Sequence, residues 1–553
     1  MQNCAVSDVG RFPNGCFALP GHHCTFARVI FFQPHVATRL CGSPYGQQSV
    51  LFMKKSIRIL SGLAVAIAVA TTAGAWYTGK QLPAELERSI AGVNQDMRRA
   101  LVGVGGSVTF ELASLDQHFF TSTAHYRVKV DDIPLQDGQT LDFEVGVIDQ
   151  IEHGPFPWSR VKAFKLLPVL ATSNSALEKD DTTAAWFEAA GGQAPLSAQT
   201  SLGFDGSVDS DMQVAPVSIQ DDTGTRIEFS GMHLQASEDR EGASTFKGGA
   251  DSFVFKLVGA DHPPATLELK GLKVDGKLAT TQYDAVYVGN VDLHLGEAKA
   301  TLGPKQQVLL LKGLEQNASQ AFDGAETLGG RVDYKIADIS WDDHAVGSMQ
   351  MGVSLQSLNA PALQALSQWY QVHQHEFEQA AAAGQPFPEI DMGAEEKARF
   401  HSDLHKLLAA KPKMAIDNFS LKTANGESRF NLGMDFASPT SFDLPADQLA
   451  KQLITQVKSQ LTLSKPMIGD LATLRALVQG QSDAQTIAQQ AGQAGEMVGM
   501  LAVQSGMATV QGSDVVSSLH YADGMVDFNG KKMTLDEFVA LLNAHVAALQ
   551  PQG

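Results

Sequence analysis

The stretch MQMGVSL, residues 349–355, alternates Met349, Met351, Val353 and Leu355 with Gln350, Gly352 and Ser354. A period of two places every second side chain on one side of an extended backbone, so the stretch reads as a strand with one apolar face. The same pattern recurs along the chain. Tyr126, Val128 and Val130 share it, as do Leu141, Phe143, Val145 and Val147, then Ile227 and Phe229, Leu267 and Leu269, and the run from Val286 through Val291, Leu293 and Leu295. Val332, Tyr334 and Ile336 continue it. Turn-forming pairs punctuate these runs, at Asp205-Gly206, Asp275-Gly276 and Asn425-Gly426, so the strands are expected to join as antiparallel hairpins and meanders. A loose repeat of a strand ending at a glycine step, Ser230-Gly231-Met232, Lys270-Gly271-Leu272 and Lys312-Gly313-Leu314, is too irregular in spacing for a solenoid.

Composition suits this reading. Of 553 residues, 44% are hydrophobic and only 18% charged, which favours many short strands over a solvated helical bundle. A net charge of −19, with no sizeable Lys or Arg cluster, disfavours a nucleic-acid partner. Two helical regions could cover the sheet. Residues 361–410 carry Leu363, Leu366, Trp369 and Tyr370, then Phe400, Leu404, Leu407 and Leu408. Residues 446–507 carry Leu449, Leu453, Ile454 and Val457, then Met497, Met500, Leu501 and Met507, the methionines being read as core filler. The C-terminus is expected to form a compact hairpin with turns at Asp523-Gly524 and Asn529-Gly530, followed by a helix that a Thr534–Glu537 capping box opens.

The N-terminus carries a different signal. Lys54, Lys55 and Arg58 precede an uncharged run over residues 59–77, which at about 1.5 Å rise per residue crosses most of a hydrocarbon core. The positive end stays in the cytoplasm, so the bulk of the chain is expected on the far side of the membrane. Ala73-Gly74-Ala75 fits a cleavage site, whereas Trp76, Tyr77 and Lys80 fit the interfacial belt of a retained anchor, the reading adopted here. Upstream, residues 1–52 hold all four cysteines and no periodic pattern, and read as a mis-translated leader before a start at Met53. Cys16, Cys24, His22 and His23 lack the paired spacing of a zinc site.

Chemistry is hard to find. No nucleophile elbow, phosphate loop, H-E-x-x-H or C-x-x-C is present, and Gly103, Gly105 and Gly106 follow a helix instead of a strand. His401 and His405, with Asp403 and Glu396, and the group His373, His375, Glu376 and Glu378 supply no third convergent ligand from another element. They read as surface histidines. No catalytic, cofactor or metal residue is assigned.

Three segments carry a resemblance: GAWYTGK at 74–80, EHGPFPWSRVKAFKLLP at 152–168 and YADGMVDFNGKKMTLDEFV at 521–539. They resemble the matching segments of the YdgA family, bacterial inner-membrane or periplasmic proteins of undefined biochemical activity. The resemblance implies location and architecture and supplies no catalytic residue. Within the middle segment, His153, Gly154, Pro155, Phe156 and Pro157 combine two fixed φ angles with a flexible glycine, which makes a rigid exit from the preceding strand.

The resulting expectation is a β-rich α+β chain: one transmembrane helix, then a long antiparallel sheet, curved or grooved, with covering helices. Its parts are the leader 1–52, the anchor 53–80, a β-rich periplasmic region 81–360, a helical insertion 361–412 and a C-terminal hairpin and helical region 413–553. The expected function is a non-enzymatic binding or scaffolding role at the bacterial inner membrane, with a protein, a second copy or lipid as partner. A lipid-transfer protein with an apolar groove and a periplasmic hydrolase around His153 are the alternatives. Met349, Met351 and Val353 facing a trough would favour lipid, an exposed edge strand would favour protein pairing, and His153 in a polar pocket would favour the hydrolase.

Overall fold

The computed structural model describes residues 106–549 apart from 135–139, 259–262, 284–285 and parts of 375–389, together with helical residues within 86–97. The leader, the anchor residues Lys54, Lys55, Arg58, Trp76 and Tyr77, and Gly103, Gly105, His375 and Glu378 lie outside the described residues. Among the described residues no helix is long and apolar enough to cross a membrane.

All strands belong to one antiparallel sheet. Its first part comprises β1 (Ser107–Gln117), β2 (Thr121–Pro134), β3 (Thr140–His153), the short helix α1 (Trp158–Lys162), β4 (Ala171–Leu177), α2 (Ala184–Ala189), β5 (Leu196–Leu202) and β6 (Val208–Val214). Each strand pairs with the next. One face is closed by the helical residues within 86–97: Leu86, Ile90, Val93 and Met97 pack with Phe110, Tyr126, Val128, Val145 and Val147 in the main core. The outer edge, β1, is blunted because the Asn94 side chain takes both backbone groups of Phe110, at 2.8 and 2.7 Å.

The middle is a meander of long strands. β7 (Val217–Gln220), β8 (Arg226–Phe229) and β9 (Met232–Glu238) lead to β10 (Ala243–Leu257), β11 (Ala265–Thr280), β12 (Tyr287–Leu302), β13 (Gln307–Phe322), β14 (Thr327–Trp341) and β15 (His344–Asn359). β9 continues the sheet from β6 and shares the edge of β10 with β8. Strands of 16 residues reach about 50 Å at the usual rise.

The last part carries most of the helices. α3 (Ala360–Val372) and α4 (Ala394–Ala409) precede β16 (Lys413–Lys422) and β17 (Glu427–Phe436); α5 (Ala446–Leu453) precedes β18 (Ile454–Ser464). Then follow α6 (Lys465–Val478), α7 (Ala484–Gln504), β19 (Thr509–Gln511), β20 (Asp514–Ala522), β21 (Met525–Phe528), β22 (Lys531–Thr534) and α8 (Leu535–Leu549). Tyr521, Val526, Phe528 and Phe538 form a small second core here, and Thr534 and Glu537 make the reciprocal capping bonds expected of them. The turns at Asp205-Gly206, Asn425-Gly426, Asp523-Gly524 and Asn529-Gly530 all fall between strands.

Four local expectations are corrected. Asp275-Gly276 is not a turn but lies inside β11, where a side chain on Gly276 would strike the Phe246 ring at 2.5 Å. Ile454 and Val457 belong to strand β18, not to a helical stripe. Met497, Met500 and Leu501 on α7 are exposed rather than core filler, because α7 packs through the small surfaces of Gly495 and Gly499 beside Ile487. The glycine steps at 271 and 313 end no strand: each sits mid-strand in the left-handed region, at φ +69° and +59°.

These glycines form a line. Register places Gly231, between β8 and β9, in line with Asp251, Gly271, Gly296, Gly313 and Ala337, at the row where each ladder from β10 to β14 skips a pair. On either side of it the apolar alternation changes phase by one residue, from Leu269 to Leu272 and from Leu311 to Leu314. A one-residue shift would move the second half of each strand to the opposite face; the row absorbs it, with a left-handed glycine in β11 and β13, and the apolar set stays on one side. Gly313→Val is accordingly expected to destabilise by about 2 kcal/mol or more, from the left-handed backbone and from contact with Ala337. Gly433→Val, in open space on β17, serves as control and is expected to stay within about 0.5 kcal/mol of the parent. Urea unfolding midpoints that coincide for the two variants would refute the role given to this line.

Candidate functional site

The first candidate surface is the apolar face of β10–β14. Cross-strand pairing assembles the rows Phe253, Leu269, Ala298, Leu311 and Ile339; Phe255, Leu267, Ala300, Leu309 and Trp341; and Ala250, Leu272, Leu295, Leu314 and Ile336. Residues of this kind normally close a core. Yet no residue of β11, β12 or β13 is buried, and Leu267 and Leu293 are each 36% exposed. The opposite side is laced with charge pairs, Lys270–Glu297 at 2.9 Å, Lys299–Glu268 at 3.0 Å and Lys335–Glu315 at 3.2 Å. Among the described residues, no second layer buries a side chain of β11, β12 or β13. Met349, Met351 and Val353 extend the face onto β15, half-buried.

The second surface is polar and lies at one end of β3–β10. The connection leaving β3 turns sharply, and Glu152 accepts bonds from Ser159 N and Oγ at 2.8 and 2.7 Å, which fixes the start of α1. α1 thereby carries Arg160 under the chain, where it is only 7% exposed and donates from Nη1 to Ser201 Oγ at 2.9 Å. A cavity of about 440 Å³ opens beside it, lined by Arg160, Lys165, Ser201, Asp209, Ser237 and Lys247 among others. A second of about 460 Å³, over Gln150, Asn174 and Gln213, shares Gln199 and Asp211 with the first. Around α1 the loops expose Phe119, Phe120, Phe156, Trp158, Phe164 and Leu167.

His153 lines neither cavity. Its ring bridges Ser122 Oγ at 3.1 Å and Phe119 O at 3.3 Å, and its backbone N donates to Phe120 O, so it ties the β1–β2 turn to the end of β3. Gly154 donates to Leu170 O at 2.8 Å and Val169 N to Pro155 O at 3.0 Å, leaving no room for a side chain at 154 against the backbone of Val169 and Leu170. Phe156 is exposed, while Pro157 is the N-cap of α1.

The remaining titratable groups serve packing. His373 joins α3 to α4 through Glu396, 2.7 Å from Nε2, and that hydrogen bond, with a second from Glu376, raises its pKa despite burial. Trp369 Nε1 shares the same carboxylate at 3.1 Å. His401 and His405 pack against Phe442 with tilted rings, and His405 Nδ1 pairs with Ser438 Oγ at 2.6 Å. Among the described residues, no group of three or more His, Cys, Asp or Glu is placed to hold a metal ion.

Sequence reasoning missed Asp149. This carboxyl is fully buried on β3; Ser173 Oγ donates to it at 2.6 Å, and the Tyr126 hydroxyl faces it without a well-aligned bond. Burial pushes its pKa up to about 7, against the opposing pull of Ser173, Tyr126 and Asn174. The site is closed to any substrate, so the shift bears on stability. A carboxyl raised in the folded state contributes fully below its unfolded value near 3.8, and that contribution is lost as pH rises to about 7. Asp149→Asn is therefore expected to match the parent near the lower limit and to exceed it by about 4 kcal/mol above the upper one, in denaturant unfolding followed against pH. A difference that does not change with pH would exclude the assignment. At the corner itself, His153→Ala is expected to cost about 1 kcal/mol, the worth of its exchangeable hydrogen bonds, whereas Gly154→Val prevents correct folding. Equal expression and melting temperatures for the two variants would contradict this.

Comparison with known proteins gives the chain a family. A family model described as "Bacterial protein of unknown function (DUF945)" matches residues 53–536. Protein YdgA of Escherichia coli (strain K12) is 26% identical over 504 residues, 88% of this chain and 97% of the relative. The uncharacterized protein YihF of the same strain is 22% identical over 494 residues, covering 87% and 97%, and an uncharacterized protein of Haemophilus influenzae is 20% identical over 320 residues, covering 57% and 85%. No solved structure matches. With most of its length matched, from residue 53 to residue 536, the chain belongs to the DUF945 family of bacterial proteins of unknown function.

Proposed function

We propose that this is a membrane-anchored envelope protein with a non-enzymatic binding role, whose binding surface is the apolar face of β10–β14 and whose ligand is the acyl part of a lipid. The uncharged run over 59–77 behind Lys54, Lys55 and Arg58 supports an inner-membrane anchor with the bulk of the chain in the periplasm, and the relationship to YdgA supports an envelope location in general. One observation carries the binding reading: three consecutive 16-residue strands rich in Leu, Val and Ala contain no buried residue. Leaving such a face in water forgoes roughly 25 cal/mol for each Å² that an apolar occupant would cover.

The chemistry of the face favours an acyl chain over a protein. Its rows run on Leu, Ile, Ala and Phe with the backbone already paired to neighbours on both sides, so the face offers neither a strand edge to extend nor the Arg-rich anchor points common in protein interfaces. The outer edges offer little either, since β1 is engaged at Phe110 by Asn94 and β7, β19 and β22 are only three or four residues long.

A photo-crosslinking phenylalanine placed at Leu293, on this face, and at Lys273, on the opposite one, tests the reading in living cells. Lipid adducts at 293 and none at 273 are expected by mass spectrometry. Protein adducts in place of lipid at 293 would overturn the acyl assignment, and no adduct there would overturn the binding role of the face.

A further inference from the structure

We infer that the cavity beside Arg160 binds a phosphate group. A guanidinium keeps its charge at every accessible pH, and burying one without an anion costs several kcal/mol. Arg160 is in that position. It is 7% exposed, its side chain's one hydrogen bond among the described residues is from Nη1 to the neutral Ser201 hydroxyl, and no described carboxylate lies within ion-pair distance of it. Its Nε is buried without an acceptor. With Nη1 held by Ser201, the Nε and Nη2 edge is left, which is the edge that grips an oxyanion with two parallel hydrogen bonds.

The space and the other donors suit a phosphate. The cavity of about 440 Å³ is also lined by Lys165, Lys247, Ser237 and Thr245; the two hydroxyls pair with each other at 2.7 Å, so the two ammonium groups are the main further donors to an oxyanion. Two acids share the cavity. Asp211 is already engaged, by His233 Nε2 at 2.8 Å and Gln235 Nε2 at 3.4 Å, and Asp209 remains to accept from a hydroxyl or protonated oxygen of the ligand. A phosphate of this kind has two sources, a free phosphate or a lipid headgroup. Phe164, Leu166 and Leu167, which flank Lys165 and are 87%, 60% and 78% exposed, suit the second.

This site is separate from the sheet face, so either reading can fail without the other. The test uses the full chain in neutral detergent, titrated calorimetrically with inorganic phosphate and with dihexanoyl phosphatidylglycerol at constant ionic strength. Saturable binding of at least one probe is expected, with an affinity loss of tenfold or more in Arg160→Gln and no loss of melting temperature in that variant without phosphate, since a buried unpaired charge has been removed. Tighter binding of the lipid by tenfold or more assigns the headgroup; equal binding assigns free phosphate. Should Arg160→Gln not fold, the exposed pair Lys165→Ser and Lys247→Ser reads the same loss. Absence of saturable binding of either probe, or unchanged affinity in the variants, would overturn the site.

Discussion

A strand has a side-chain period of two, and a sixteen-residue strand keeps one apolar face only if nothing disturbs that count along about 50 Å. Here something does, and the same row of six residues repairs it in every strand. Left-handed glycines occupy alternate positions, Gly231, Gly271 and Gly313, and the residues between them, Asp251, Gly296 and Ala337, are small. The spacing of the two sets is steric as well as conformational: a side chain on Gly313 would meet Ala337 at 3.0 Å. If β11 lost its left-handed Gly271, its distal half would turn Lys273 and Asp275 toward the Leu rows on both sides. The constraint is therefore shared by the row and cannot be relaxed in one strand alone.

Once the rows are aligned, they can be followed across most of the sheet. Ala198, Met212, Leu234, Gly248, Val274 and Leu293 are successive partners from β5 to β12, and Thr200, Ser210, Ala236, Phe246, Gly276 and Val291 run beside them. Ala198 and Met212 belong to the main core, under the helical residues within 86–97, whereas Val274 and Leu293 have no buried neighbour on their own strands. The core and the open apolar surface are thus one face. The ladder supplies continuity between them, with ion pairs on the reverse side adding little at such exposure.

Much of this was legible. Alternation at Tyr126–Val130, Leu141–Val147 and Met349–Leu355 located strands because nothing but burial of one face demands that pattern. The glycine steps were visible as a repeat, but their meaning was not: a Lys-Gly-Leu triplet looks alike at a turn and at a mid-strand phase change, and only the partner strands decide. Asp275-Gly276 misled for a related reason, since its glycine serves the Phe246 ring on β10. β18 was hidden because Leu449, Leu453, Ile454 and Val457 satisfy a helical stripe across the true boundary at Ile454. For the sites the limits were sharper. His153 drew attention as the one motif residue with chemistry, yet it ties two backbone segments. Arg160, seven residues on, gave no signal, because nothing in a local sequence reveals that a cation will be buried without a carboxylate.

Why one face should be closed at one end and open in the middle follows from what stands over it. At β2 and β3, Tyr126, Val128, Val145 and Val147 are within 1% of full burial, and the residues that achieve this are Leu86, Ile90, Val93 and Met97 from outside the sheet. At β11–β13 the strands are longer and no less apolar, and no residue is buried. Strand sequence therefore does not set the difference; the presence of a covering element does. A second helix of the same kind would have closed the middle as the first closes the end; α3 covers only one end of the strands, where Ala360 and Leu363 pack with Val286, Val288 and Leu328, and α4 and α6 contact β15. The chain has helices to spare, α7 with exposed Met497, Met500 and Leu501 among them, and still leaves β11, β12 and β13 without a buried residue. An open face of this kind fits the acyl occupant proposed for it through its lack of polar partners.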